Sequence, residues 1–91
     1  MLKNGVRIDR VIKLLPFNWT KLKSGIISEV KFVPNKHDLR GDVVIRFNEG
    51  KVYKYQDVPR VYVEKMVHSK DPGDYFEDWI RPYYPQQGVP A

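Results

Sequence analysis

The residues able to do chemistry are few and scattered. The two histidines, His37 and His68, stand far apart in a chain of 91 residues that holds no cysteine. A metal site needs several ligands at short, regular spacing, and an acid–base pair needs a second titrating group beside the imidazole. Neither histidine has such company, so both read as exposed and idle. Ser24, Ser28 and Ser69 lack the elbow motif that lifts a serine nucleophile out of its surroundings. Asp71, Asp74, Glu77 and Asp78 form the densest group of carboxylates and would suit a cation, yet helix capping accounts for the first two and solvation for the others. Gly41 and Gly50 are isolated turn glycines, not a phosphate cradle. The expectation is a protein that is not an enzyme, with no catalytic residues, metal or cofactor.

Binding is better supplied. The net charge is +5, and residues 1–24 carry all of it: Lys3, Arg7, Arg10, Lys13, Lys21 and Lys23 against Asp9 alone. From residue 25 onward ten basic residues meet ten acidic ones. A local excess of this kind attracts phosphates or an acidic protein patch. Phe17 and Trp19 are interleaved with these charges and are able to stack on exposed bases. Arg7, Arg10, Lys13, Phe17, Trp19, Lys21 and Lys23 are therefore the candidate binding residues, with RNA or another single-stranded nucleic acid as the first ligand class. The alternative is docking onto a host protein or enzyme through Leu14-Leu15-Pro16-Phe17-Asn18-Trp19. Two plainer roles compete with both: a solubilising extension, and an arm that folds back over an open side of the sheet.

Length and composition limit the rest. A chain this short forms one domain with a modest core. The absence of cysteine excludes a disulfide-stapled secreted mini-protein and fits a reducing, cytoplasmic setting. The patch Val11-Ile12-Lys13-Leu14-Leu15 is interrupted by lysine and too short for a signal core or a membrane span. No membrane partner is expected.

The elements that must position these residues follow from pattern. Segments 26–33 and 42–47 are rich in β-branched and aromatic residues, and Lys51 to Gln56 continues them, predicting a three-stranded antiparallel meander. A two-residue turn at Glu49-Gly50 would force a positive φ on glutamate. A three-residue loop with Gly50 in the left-handed position avoids this and pairs Ile45 with Tyr53 and Val43 with Tyr55. Both tyrosines then share the apolar face of Val43, Ile45 and Phe47 and pack inward. Two short helices are predicted on that face. The first begins at Val58-Pro59, capped by Asp57, and buries Tyr62, Val63, Met66 and Val67. The second begins at Asp71-Pro72, with Asp71 as its cap, and buries Phe76 and Ile80 with Tyr75, Trp79 and Tyr83; Pro82 ends it near Arg81. The fold class is α+β: a three-stranded meander, then two helices on one face, preceded by a basic arm over 1–22. Residues 85–91 are expected to be a disordered tail.

The spacing of Ser24-x-x-Ile27-x-x-Val30-x-Phe32, Val43-x-Ile45-x-Phe47, Gly50-x-x-Tyr53-x-Tyr55-x-x-Val58-Pro59-x-x-Tyr62 and Pro72-Gly73-x-Tyr75-Phe76-x-x-x-Ile80-Arg81-x-x-Tyr84 resembles the KTSC domain over residues 23–84. That family occurs at the C-terminus of some lysyl-tRNA synthetases and as small stand-alone proteins of bacteria and phages. The resemblance implies that Tyr53, Tyr55, Pro59, Gly73 and Phe76 are motif residues, mainly structural, and that a stand-alone member would act as an accessory protein. The synthetase context implies RNA binding. The chain departs from the family at Asp71, where serine is frequent, and at Glu77, where asparagine is common.

Overall fold

The computed structural model describes residue 14 and residues 16–37 and 39–90. Seven elements follow in order: β1 (Trp19–Lys21), β2 (Ile27–Pro34), β3 (Arg40–Phe47), β4 (Val52–Pro59), α1 (Arg60–Val67), α2 (Pro72–Trp79) and β5 (Gln86–Val89). All strands join one antiparallel sheet in the order β1-β2-β3-β4-β5. The fold is α+β with two helices, as expected. The sheet has five strands where three were expected, because a short strand is added at each edge.

The central hairpin forms as its turn residues dictate. Gly50 has φ +102°, the Phe47 N–H donates to the Lys51 carbonyl, and Val43 and Ile45 face Tyr55 and Tyr53. The left-handed turn is open to glycine at little cost, and this fixes which side chains share a face. Val30, Phe32, Val43, Ile45, Phe47 and Tyr55 lie on one face, under Val63, Met66 and Val67 of α1 and Phe76 of α2, with Ile80 just beyond. Tyr55 and Phe76 meet edge-on, 5.1 Å between centroids.

Three expectations are corrected here. Asp57 does not cap α1: it sits in the left-handed region at φ +58°, its carbonyl accepts from Arg40, and α1 begins at Arg60 with no side-chain cap. Pro59 accordingly ends β4 instead of opening the helix. Trp79 and Tyr83, expected inside, are 52% and 66% exposed. Residues 86–89, expected to be loose, form β5; the buried Tyr55 hydroxyl donates to Gln86 at 2.7 Å and ties the strand to β4. The cap at the second helix is as expected, with the Asp71 carboxylate accepting the Asp74 N–H at 3.1 Å and Pro72 in the first turn. Ahead of β2, β1 joins the sheet, and Leu14 and Leu22 are in the core. No helix among the described residues is long and apolar enough to cross a membrane.

Candidate functional site

The helices cover one face of the sheet, and the other face carries charge. Residues directly opposite in an antiparallel pair project to the same side. The register Trp19↔Lys31↔Val44↔Lys54 therefore places these four on the face away from the core, and Lys21↔Glu29↔Arg46↔Val52 places the next row beside them. Trp19 is half-buried here, with the Lys31 ammonium 4.8 Å and the Arg46 guanidinium 4.5 Å from its ring centroid. Both distances lie within the range of cation–π attraction. Arg46 is also paired with Glu29, and Lys54 approaches Asp42 at 3.8 Å. Lys21 and Lys31 have no carboxylate partner among the described residues, so the face keeps an excess of positive charge.

The candidate binding residues are divided by the fold. Trp19 and Lys21 are in β1, and Lys23 lies exposed in the following loop. Phe17 precedes β1 with φ +67°, an uncommon conformation for a bulky residue, and its ring is 63% exposed while its N–H donates to the Phe32 carbonyl. Arg7, Arg10 and Lys13 lie outside the described residues. Lys31, Arg46 and Lys54 were not anticipated as site residues. Along the chain their charges cancel against the acids of the helices; only the period-2 pattern, taking residues between the core positions Val30, Phe32, Val43 and Ile45, would have gathered them.

Of the motif residues, Tyr53, Tyr55, Gly73 and Phe76 are packed against neighbouring elements. Tyr55 and Phe76 are fully buried, and Tyr53 packs its half-buried ring edge-on against Phe47 at 5.9 Å. Burial pushes the Tyr55 hydroxyl up to about 12, with the nearby Arg81 pulling the other way. Gly73 is buried where α2 meets the loop before β2; a Cβ there would stand 2.8 Å from both Ile26 and the Ser24 hydroxyl. Ser24 in turn accepts the N–H groups of Ile26 and Ile27, and Asn48 bridges Ser28 and the Ser24 carbonyl, which locks this loop to the β3–β4 turn. Beside this junction lies a cleft of about 470 Å³ between the turn and α2, bordered by Asn48, Lys51, Tyr53, Glu77 and Arg81. Its charge is largely neutralised, since Arg81 donates to Glu77 at 2.9 Å. Glu77 thus pairs with an arginine just beyond the end of its helix.

A search of curated proteins finds no match. Among solved structures, the crystal structure of a KTSC domain protein from Yersinia pestis superposes with a TM-score of 0.71 at 18% identity, covering 80% of this chain and 97% of that one. At that identity the likeness speaks for the fold. The KTSC domain model matches residues 23–84, which span every core strand and both helices, and the chain belongs to the KTSC domain family.

Proposed function

We propose that this protein binds single-stranded nucleic acid, RNA foremost, along the helix-free face of its sheet. The observation that carries this reading is Trp19 on that face with Lys31 and Arg46 over its ring. Lys21, Lys31 and Lys54 supply phosphate contacts, and Arg7, Arg10, Lys13 and Lys23 extend them along the strand of nucleic acid. Phe17, already exposed, is the residue that stacks on a base; Trp19 holds its cations in place. The helix side contributes little attraction, since residues 60–81 hold five acids against four basic residues.

Titration of a fluorescent oligouridine against salt tests this. The double variant Lys21→Glu, Lys31→Glu should stay folded with a modestly lower melting temperature, lose most affinity and lower the salt slope by roughly 0.7 for each phosphate contact removed. Reversing Lys65 and Lys70 on the helix side should leave affinity nearly unchanged. Equal affinity in the sheet variant, or no measurable affinity at low salt in the native protein, refutes the reading.

A further inference from the structure

On the side of the molecule opposite the basic face, Tyr62 of α1, Trp79 of α2, and Tyr83 and Tyr84 beyond it line a shallow groove of about 240 Å³. Tyr75 extends the wall, its ring 6.3 Å from that of Trp79. Burial raises the Tyr75 and Tyr84 hydroxyls above the usual phenol range, and each feels Tyr62 as well, so three phenols converge on one place. Large aromatic side chains exposed together are unusual on a folded surface and point to a contact.

The polar chemistry of the groove is one-sided. The hydroxyls of Tyr62, Tyr83 and Tyr84 and the indole N–H of Trp79 make no hydrogen bond among the described residues, in contrast to the Tyr55 hydroxyl. The groove thus offers flat apolar faces and free donors. A polyproline II segment is the complement: its rings are apolar, its prolines have no N–H to satisfy, and its carbonyls are all free to accept. Its backbone is already extended, so little conformational entropy is lost on docking. Charge narrows the choice. Asp74 and Asp78 lie one turn apart on α2, beside the Tyr75–Trp79 row, and neither is in an ion pair among the described residues. We infer that this groove docks a proline-rich peptide segment of a partner protein that carries a basic residue next to its prolines.

The test uses the full chain and nitrogen-labelled tryptophan side chains. An oligoproline peptide ending in arginine should shift the Trp79 indole resonance saturably and leave that of Trp19 in place. Trp79→Ala, tolerated because the residue is half exposed and followed by titration calorimetry because it removes the reporter ring, should weaken binding at least about tenfold, as loss of an aromatic anchor does. Tyr83→Ala provides a second variant at a still more exposed position and should weaken binding in the same direction. The double variant Asp74→Lys, Asp78→Lys should weaken the arginine-ended peptide several-fold and leave a glutamate-ended oligoproline bound at least as well as before. Four results overturn the inference: no saturable shift at millimolar peptide, undiminished binding by folded Trp79→Ala and Tyr83→Ala, equal binding of a proline-free arginine–alanine peptide, or a shift of the Trp79 resonance with protein concentration alone, which assigns the groove to a second copy.

Discussion

Replacing Tyr55 by phenylalanine removes one oxygen from the interior and nothing else, which makes it the cleanest probe of how β5 is held. The ring is fully buried and its hydroxyl donates to Gln86 at 2.7 Å. Phenylalanine keeps the edge-on packing against Phe76, and Gln86, being exposed, turns to water, so no buried group is orphaned. The cost at neutral pH is then the net worth of one hydrogen bond, about 1 kcal/mol, or roughly 4 to 8 °C in melting temperature for a domain this size. Alkaline pH reverses the order. The hydroxyl titrates at about 12 in the folded protein against 10.0 for an unburied tyrosine. Because the folded value is raised, the unfolded chain loses its proton first, and stability present below pH 10 is lost as pH climbs toward 12. By about pH 11 that loss is roughly 1 to 2 kcal/mol, enough to cancel or exceed the hydrogen bond. Urea melts of the two proteins in parallel at pH 8 and pH 11 should cross, since the other tyrosines and lysines titrate alike in both. Native-state hydrogen exchange of the β5 amides should accelerate in the variant at pH 8 while the β2–β3 amides keep their rates. A phenylalanine variant equal or superior to the native protein at pH 8 refutes the idea that this hydroxyl anchors the strand, and a gap between the two that ignores pH refutes its raised titration.

Other substitutions test other joints. Asp71→Ala removes the carboxylate that accepts the Asp74 N–H at the head of α2 and should cost about 1 kcal/mol in a thermal melt, with nucleic-acid binding unchanged. Gly73→Ala, which in an open helix would be stabilising by up to about 1 kcal/mol, should instead destabilise by about 1 to 3 kcal/mol because the new methyl group collides with Ile26 and Ser24; Gly73→Ala paired with Ser24→Ala should recover part of that. Phe17→Asn relieves a bulky residue held at positive φ and should leave stability equal or raise it by up to about 1 kcal/mol, while weakening oligouridine binding. A loss of stability there would mean that the ring packs in a way its exposure does not suggest.

The parts legible in the sequence were those where side-chain chemistry dictates geometry. Gly50 selected the hairpin loop, the loop selected the register, and the register sent Tyr53 and Tyr55 to the core face. Asp71-Pro72 marked a helix start for the same kind of reason. The edge strands were not legible, because β1 and β5 are held by backbone hydrogen bonds that Thr20, Gln87 or Gly88 supply as readily as valine. Asp57 looked like a cap by residue type, but Pro59 at φ −59° and ψ 134° is still extended, so the helix starts one residue too late for Asp57 to reach it. The basic face escaped because charge was summed along the chain, whereas a sheet sorts it by parity. Trp79 and Tyr83 follow the spacing of buried residues, yet Phe76 and Ile80 already fill the space between α2 and the sheet, leaving both rings to the surface.

The sheet order repeats the chain order from β1 to β5. Each strand therefore finds its predecessor already present, and none must hold an open edge for a partner several elements away. A chain emerging slowly from its N-terminal side would lay down β1 through β4 by successive short loop closures, each entropically cheap, before either helix exists. The helices then seal the apolar face, and β5 comes last to cover the outer edge of β4, an eight-residue strand with four β-branched or aromatic residues. For that interval the exposed edge is the point at which two nascent copies would pair with each other. Pairing of β5 closes it.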